Sequence, residues 1–310
     1  MAQVNIGEKQ PHITTEDQIQ FTDQQVIEEP LPTPSDKIVG LDSEELKDPN
    51  KITISISDKQ APIVVLFGQP GCGKTMTLVR LYRYLTDHGY VVEPVRDFRP
   101  TYDENYNDIC DNFHEMMNKD DAAQTTSKIS FLLVKVSRNG RTICQILEAP
   151  GEYYFNREAP NAPFPRYFSA ITASSNRKVW CFFVEAKWGD EPDRRNYVLR
   201  IEKLKTRIKS QDSTIIVYNK IDESGFLIDG DGHVHLKQAK EDINNRYPNL
   251  FGKFRNTTPI ACWFREYRCE FITFLTGDFP KAADGTKEFQ QGPDIFPKRF
   301  WNLIMKKVRG

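Results

Sequence analysis

The stretch that decides the fold is Pro62-Ile63-Val64-Val65-Leu66-Phe67-Gly68-Gln69-Pro70-Gly71-Cys72-Gly73-Lys74-Thr75. Its first half, Pro62–Phe67, is a continuous apolar run, which is typical of a strand buried on both faces of a sheet. Its second half fits the pattern G-x-x-x-x-G-K-[ST], and a helix is predicted from Lys74 to about His88. The sequence therefore predicts a strand, a phosphate-binding loop (P-loop) and a helix in direct succession.

The loop has the residue types that phosphate binding needs. Glycines let backbone N–H groups turn toward an anion, and the N-terminus of the next helix directs its positive dipole end to the same place. Lys74 is expected to reach the β- and γ-phosphates, and the Thr75 hydroxyl to bind Mg²⁺. The expected phosphate contacts are Gly68, Gln69, Pro70, Gly71, Cys72, Gly73, Lys74, Thr75 and Met76.

A second motif, Asn219-Lys220-Ile221-Asp222, follows the apolar strand Thr214–Tyr218. The carboxylate of Asp222 can accept hydrogen bonds from both N1–H and the exocyclic amine of guanine. Adenine offers no such pair of donors, so a carboxylate facing it would be desolvated and unpaired. Asn219 can bond within the loop and to the base edge, and the stem of Lys220 can lie over the ring. The motif predicts a guanine nucleotide.

Apolar strands alternate with helices outward from these motifs. Strands are predicted at residues 51–57, 62–67, 129–136, 142–147, 179–185 and 214–218. Helices are predicted at about residues 74–88, 103–118, 164–176, 191–209, 236–247 and 294–308. Strands separated by helices indicate an α/β fold, with a mostly parallel, doubly wound sheet covered on both sides by helices.

Charge divides the chain into two predicted parts. Residues 1–50 carry eleven Asp or Glu against three Lys, a net charge of −8, and they are rich in proline. Such a segment cannot bury enough apolar surface to order itself, so we expect an acidic flexible tail followed by one domain at residues 51–310. That domain carries a net charge of +7, which together with the −8 of the tail gives the chain's −1. Its positive charge is not concentrated in a run, so nucleic acid is not an expected partner.

Composition favours a cytoplasmic protein. A hydrophobic content of 39% and a charged content of 27% are those of an ordinary globular chain. No run of about 18 apolar residues occurs, so no membrane span is expected. The 6 cysteines form no C-x-x-C pair, which favours reduced thiols over disulfides or a zinc site. Cys72 is expected at a helix N-terminus, a position that lowers a thiol pKa.

With both motifs in this order, the chain resembles the P-loop GTPases of the translation-factor (TRAFAC) class, the superfamily that contains Ras-like small GTPases. The resemblance covers roughly residues 60–310 as an order of elements and rests on Gly68–Thr75 and Asn219–Asp222. It implies binding of GTP and GDP with Mg²⁺, and two switch segments that respond to the γ-phosphate. It does not assign a subfamily.

The resemblance also implies a strand that ends in D-x-x-G, and the candidate here is Glu148-Ala149-Pro150-Gly151. Glu148 replaces the usual Asp as an acidic magnesium ligand, and the Gly151 N–H would sense the γ-phosphate. Glu152 stands where a water-orienting Gln often lies, and its carboxylate could orient water or repel phosphate. The expected catalytic residues are Lys74, Gly151 and Glu152. The expected metal ligands are Thr75, Glu148 and, from the first switch, Thr126 or its neighbour Thr125.

Three features stay open at this stage. The last guanine-supporting loop is either Ala261 or Thr276-Gly277. An insertion at about residues 90–126 is the expected partner surface. A catalytic arginine in the chain itself could be Arg96, Arg99, Arg157 or Arg166.

The favoured function is a guanine-nucleotide switch for a protein partner, with slow GTP hydrolysis. Glu148 and Glu152 keep a second hypothesis open, a module that holds the nucleotide in an assembly without hydrolysing it. A third, an ATPase or nucleotide kinase, uses the P-loop alone and ignores Asn219–Asp222.

Overall fold

The computed structural model describes residues 41–120, 131–157, 159–229, 231–257, 263, 266–280 and 288–309. The main sheet contains β1 (Ile63–Phe67), β2 (Val91–Pro94), β3 (Leu132–Arg138), β4 (Arg141–Glu148), β5 (Lys178–Val184), β6 (Ser213–Tyr218) and β7 (Cys269–Thr273). Their order across the sheet is β2-β3-β4-β1-β5-β6-β7. Only the pairs that involve β2 and β3 are antiparallel. The predicted mostly parallel, doubly wound α/β sheet is confirmed.

Helices flank this sheet. Those in the described residues are α1 (Ser43–Lys47), α2 (Lys74–Asp87), α3 (Glu104–Asn118), α4 (Gly151–Tyr154), α5 (Arg166–Ala173), α6 (Glu191–Lys205), α7 (Leu236–Arg246) and α8 (Ile295–Arg309). α2 follows the P-loop and packs against both α3 and α8. All five residues of β1 are buried, and burying each large apolar side chain contributes about 1.5–3 kcal/mol.

The carboxyl ends of the parallel strands meet at one edge of the sheet. β1 ends at Phe67, β4 at Glu148, β5 at Val184, β6 at Tyr218 and β7 at Thr273. The register places these ends side by side, since Val184 pairs with Tyr218 and Tyr218 with Thr273. The loops that follow these ends converge there, where open α/β sheets bind their ligands.

The N-terminal boundary differs from the prediction. Asp42 caps α1 through its side chain, and its own backbone amide donates to the carboxylate of Glu45. Leu41 is buried in the core, and the Glu45 carboxylate pairs with Arg99 at 2.6 Å. Residues 41–50, which the charge pattern assigned to the tail, are therefore ordered parts of the domain. The rest of the predicted tail lies outside the described residues.

The predicted strand at residues 51–57 is wrong. Its isoleucines do turn toward the core, with Ile52 buried and Ile54 and Ile56 partly buried. The backbone, however, joins no sheet; its amide at Ser55 bonds to the carbonyl of Phe98, which lies in a 3-10 turn. A strand needs a neighbouring strand to hydrogen-bond with, and the alternating burial of side chains does not supply one.

Residues 90–120 extend the sheet and cover α2. β2 adds an antiparallel edge strand next to β3. α3 follows and contributes Tyr106, Ile109 and Phe113 to the core. The predicted insertion at about 90–126 thus contains β2 and α3 in its described part, and Tyr102, between them, is 82% exposed.

Candidate functional site: a nucleotide cavity

The P-loop runs from the end of β1 into the first turn of α2. The ammonium of Lys74 donates to the carbonyl oxygens of Gly68 and Gln69, both at 3.1 Å. Gly73 has a φ of 84°, and a Cβ there would lie 2.3 Å from Nδ2 of Asn219. The loop therefore needs glycine at this position for both its backbone and its close neighbour, as the motif predicts.

Thr75 and Glu148 lie together, although they are far apart in sequence. The Thr75 hydroxyl donates to Oε1 of Glu148 at 2.9 Å, whereas Oε2 is buried and has no hydrogen-bond partner among the described residues. Burial raises the pKa of Glu148 to about 8, against the opposing effect of Lys74. A hydroxyl and a carboxylate are ligands that Mg²⁺ prefers, and a cation would compensate the buried charge. The pair fits a magnesium ion.

The D-x-x-G-like segment contacts the P-loop backbone directly. A Cβ on Gly151 would lie 2.4 Å from the nitrogen of Pro70 and 2.5 Å from the carbonyl carbon of Gln69. Any larger residue would force the two segments apart. Glu152, next in sequence, is exposed. Thr125 and Thr126, the predicted ligands from the first switch, lie outside the described residues.

Aromatic packing fixes the segment after Gly151. The ring of Tyr154 stacks on Phe67, the last residue of β1, with centroids 4.5 Å apart. Phe155 packs edge-on against Trp188, with centroids 5.5 Å apart. Arg200 donates from Nε to the carbonyl oxygen of Tyr154 at 2.8 Å. Both the side chains and the backbone of this segment are thus anchored in the core.

The Asn219–Asp222 loop is tied to the P-loop. Nδ2 of Asn219 donates to the carbonyl oxygen of Cys72 at 2.8 Å. Lys220 has a φ of 52°, a left-handed conformation uncommon outside glycine, and its ammonium lies 2.6 Å from the Glu185 carboxylate. The two motifs, 147 residues apart, form one continuous surface.

A cavity of about 440 Å³ lies between these motifs. Its volume is in the range of small-molecule sites, about 300–1,000 Å³. One part of its wall consists of Gly71, Gly73, Lys74, Thr75 and Met76, and another of Lys220, Asp222 and Glu223. The third side is Thr276–Phe279.

That third side contains one of the two candidates that the sequence left open for the last guanine-supporting loop. Thr276-Gly277 lines the cavity, because β7 pairs with β6 and delivers the next residues to the carboxyl edge of the sheet. The other candidate, Ala261, lies outside the described residues.

The expected lowering of the Cys72 pKa is wrong. Cys72 is fully buried, and burial raises the pKa of its thiol to about 11 although Lys74 opposes this. Burial removes water from around the thiolate and so disfavours the charged form of the thiol. The loop carries the Cys72 backbone to the site, and the side chain points into the core.

Three of the four arginine candidates form ion pairs away from the cavity. Arg99 is buried between Glu45 and Asp103. Arg96 pairs with Asp111, and Arg157 pairs with Asp193. Among the described residues, these three and the exposed Arg166 do not line the cavity.

Sequence reasoning missed Glu185 and Phe279 at this site. Glu185 follows β5 and holds Lys220; a carboxylate directly after an apolar strand was a visible signal for it. Phe279 lines the cavity, and no sequence signal marks it, because only the fold brings it beside the other two motifs.

The P-loop after β1 and the Asn219–Asp222 loop after β6 lie on a mostly parallel sheet of seven strands, which is the fold expected from the resemblance to P-loop GTPases. No subfamily follows from them. No protein-family model matches the sequence, and no curated protein matches it. In the described part of the chain, every helix is too short or too polar to cross a membrane.

The chain is similar to several solved structures. One is nucleolar GTP-binding protein 1 from Plasmodium falciparum, with 13% identity, a TM-score of 0.42, and coverage of 83% of this chain and 90% of that one. Another is the signal recognition particle receptor SRb-GTP/SRX complex from Chaetomium thermophilum, with 13% identity, a TM-score of 0.39, and coverage of 80% and 98%. A third is Roco2 RocCORdC from Methanosarcina barkeri bound to GDP, with 11% identity, a TM-score of 0.34, and coverage of 83% and 50%.

Proposed function

We propose that this chain binds GTP and GDP with magnesium and hydrolyses GTP slowly, as a conformational switch for a protein partner. One observation carries the proposal: the hydrogen bond from Asn219 to Cys72 joins the base-reading loop to the P-loop around one cavity. A ligand there meets cationic and backbone donors at Lys74 and a carboxylate acceptor at Asp222. Phosphates suit the first end, and a guanine edge suits the second.

Each residue of the site has its own role in the proposed binding and hydrolysis of GTP. Lys74 exchanges its two carbonyl contacts for phosphate oxygens, and the loop amides stabilise the charge that develops as water attacks in line. Thr75 and Glu148 would hold Mg²⁺, which neutralises phosphate charge when bound. Gly151 lies against the Gln69-Pro70 peptide, and its amide would sense the γ-phosphate. Glu152 is exposed on the same segment, where its carboxylate orients the attacking water.

The switch proposal assigns the partner surface to the inserted part at about residues 90–126. Tyr102 offers an exposed aromatic ring there, and aromatic residues are enriched at protein interfaces. The acidic residues at the N-terminus would add a charged segment to the same assembly. The described cysteines are free and buried, which suits the reducing conditions of the cytoplasm.

Nucleotide identification tests the base assignment. The protein is purified in magnesium, denatured by heat, and its released nucleotide identified by ion-exchange chromatography, followed by titration of emptied protein with GDP and ADP. We expect GDP or GTP, and a preference for GDP over ADP of at least tenfold. Release of ADP or ATP, or equal affinities, would contradict the assignment of Asn219–Asp222.

A second candidate function is a module that holds the nucleotide within an assembly without hydrolysis. The anchoring of Tyr154 and Phe155 favours it, since a fixed segment after Gly151 limits rearrangement around the γ-phosphate. Single-turnover release of phosphate from bound GTP separates the two: measurable release supports the switch, and retained GTP supports the module. A D222A variant, which should not retain GTP, controls for a contaminating phosphatase.

A further inference from the structure

A two-stranded sheet lies beside the cavity and is formed by residues that lie between β7 and α8 in the sequence. Its strands are β8 (Gly277–Asp278) and β9 (Gln290–Gln291), paired antiparallel. β8 continues directly from the cavity residue Thr276, and Phe279 follows it. Every residue from Thr276 to Phe279 therefore lines the cavity, and the position of this small sheet sets the shape of its third side.

The small sheet is held on the helix that follows the P-loop. Arg80 of α2 is buried, and its guanidinium donates to the side-chain oxygen of Gln291. It also donates to the carbonyl oxygen of Gly292 at 2.7 Å and to the carboxylate of Asp294 at 2.8 Å. Charge-assisted bonds of this kind are about twice as strong as neutral ones, so the sheet is fixed relative to α2.

Phe279 is supported from behind. Its ring stacks on Phe289, with centroids 5.4 Å apart and an interplanar angle of 30°. The guanidinium of Arg83 lies over Phe289, 5.3 Å from the centroid, and the Phe289 amide donates to the carbonyl oxygen of Asp120 at 2.6 Å. The ring of Phe279 thus keeps its place while 36% of the residue stays exposed.

The residues around Phe279 indicate that this part of the cavity would bind the base of a nucleotide and not its phosphates. Burial raises the pKa of Asp222, and the carboxylates of Glu223 and Asp278 also raise it, which places the three acids close together. Three carboxylates repel a phosphate group, whereas a neutral purine with N–H donors is compatible with them. An aromatic ring in that position can offer a flat face to a flat base.

We propose that Phe279 stacks on the purine ring of the bound nucleotide, so that the small sheet β8–β9 forms the base-covering wall of the cavity. The proposal rests on the proposed function, since it requires a purine nucleotide in this cavity. Stacking on a π-face tolerates any base. Phe279 therefore adds affinity for the base and leaves guanine selection to Asp222.

Calorimetric titrations of the full chain in magnesium test this, with GDP, ADP and pyrophosphate as probes. Loss of one base–aromatic stack corresponds to about a 5- to 150-fold loss of affinity. We expect F279A to lose GDP affinity by that factor, with the GDP-to-ADP ratio and pyrophosphate affinity unchanged within twofold. F279L keeps most of the apolar volume without the π-face and should lose an intermediate amount. L199A, a truncation of an exposed apolar residue outside this cavity, should bind all three probes as the wild type does.

Each other outcome overturns the proposal. Unchanged GDP affinity in F279A means that the ring does not contact the base. Equal losses for GDP and pyrophosphate mean that Phe279 only supports the fold near α2. If F279A fails to fold, F279L decides by the same comparison. If the wild-type protein binds pyrophosphate but no GDP, the proposed function is wrong as well. The wild-type titration therefore distinguishes failure of the stacking proposal from failure of the proposed function.

Discussion

Asn219 donates from Nδ2 to the carbonyl oxygen of Cys72 at 2.8 Å, and both residues are fully buried. The bond joins the loop after β6 to the loop after β1. It therefore contributes to the stability of the fold as well as to the shape of the cavity.

The N219A variant should be less stable without any nucleotide. It leaves the buried carbonyl of Cys72 without this donor, which costs about 1–3 kcal/mol. Urea unfolding of the emptied protein measures the loss. N112A removes a comparable side-chain bond, to the carbonyl of Asp108, at an exposed site and should unfold as the wild type does. Equal stability of N219A and N112A would contradict the structural role.

The ion pair between Glu45 and Arg99 should stabilise the N-terminal part of the domain. E45A leaves the buried guanidinium of Arg99 with Asp103 and a backbone carbonyl only, and a hydrogen bond to a charged group is worth about 1.5–3 kcal/mol. E44A is the matched control, because Glu44 pairs with Lys51 at an exposed site. Chemical unfolding should be shifted by E45A and not by E44A. Early proteolysis within residues 41–50 should likewise appear only in E45A.

Lys178 gives the stability a defined pH dependence. Burial, together with the nearby Lys209, lowers the pKa of Lys178 from 10.5 to about 8. Between pH 8 and pH 10.5 the unfolded chain holds more protons at this residue, so its contribution to stability rises with pH. Below about pH 8 both states are protonated, and the contribution stays constant at its least favourable value.

Comparison with K178M isolates this contribution. The free energy of unfolding of the wild type minus that of K178M should increase from pH 8 to pH 10, by at most about 1.4 kcal/mol per pH unit. It should be flat between pH 6 and pH 7.5. A difference that falls with rising pH would mean that the native lysine is not deprotonated more readily than the unfolded one.

Cys72 should be unreactive in the folded protein. Burial excludes reagents, and the raised pKa leaves little thiolate at pH 7.5. Iodoacetamide labelling followed by peptide mass spectrometry should leave the Cys72 peptide unmodified in the native state. The same peptide should be labelled in guanidinium chloride, which confirms that the assay detects it. Rapid native labelling would restore the interpretation based on the helix dipole.

The sequence predicts what short-range chemistry determines. The spacing from Gly68 to Thr75 specifies a loop between a strand and a helix, and the spacing from Asn219 to Asp222 specifies a loop after a strand. The meeting of the two loops follows from the parallel order of β1, β5 and β6. These features need no knowledge of distant contacts.

Distant contacts explain what the sequence did not predict. Two loops were equally good candidates for the last side of the cavity, and the pairing of β7 with β6 favoured Thr276. The Cys72 pKa is raised by burial in the surrounding core, which the position of the residue in the motif does not reveal. Glu45 and Arg99 are 54 residues apart, so charge counting assigned Glu45 to a solvated tail although it is buried.

The stacking of Tyr154 on Phe67 also has a consequence for rates. A buried aromatic side chain covers about 150–250 Å², so lifting Tyr154 from the core would cost about 4–6 kcal/mol at 25 cal/mol per Å². A hydrogen bond from Gly151 to a phosphate returns about 1.5–3 kcal/mol, which is too little to dislodge the segment. If the chain is the module, this segment needs no ordering step when a ligand arrives, and GTP and GDP should associate at similar rates. If it is the switch, the segment after Gly151 must rearrange without lifting Tyr154, and the two rates should differ.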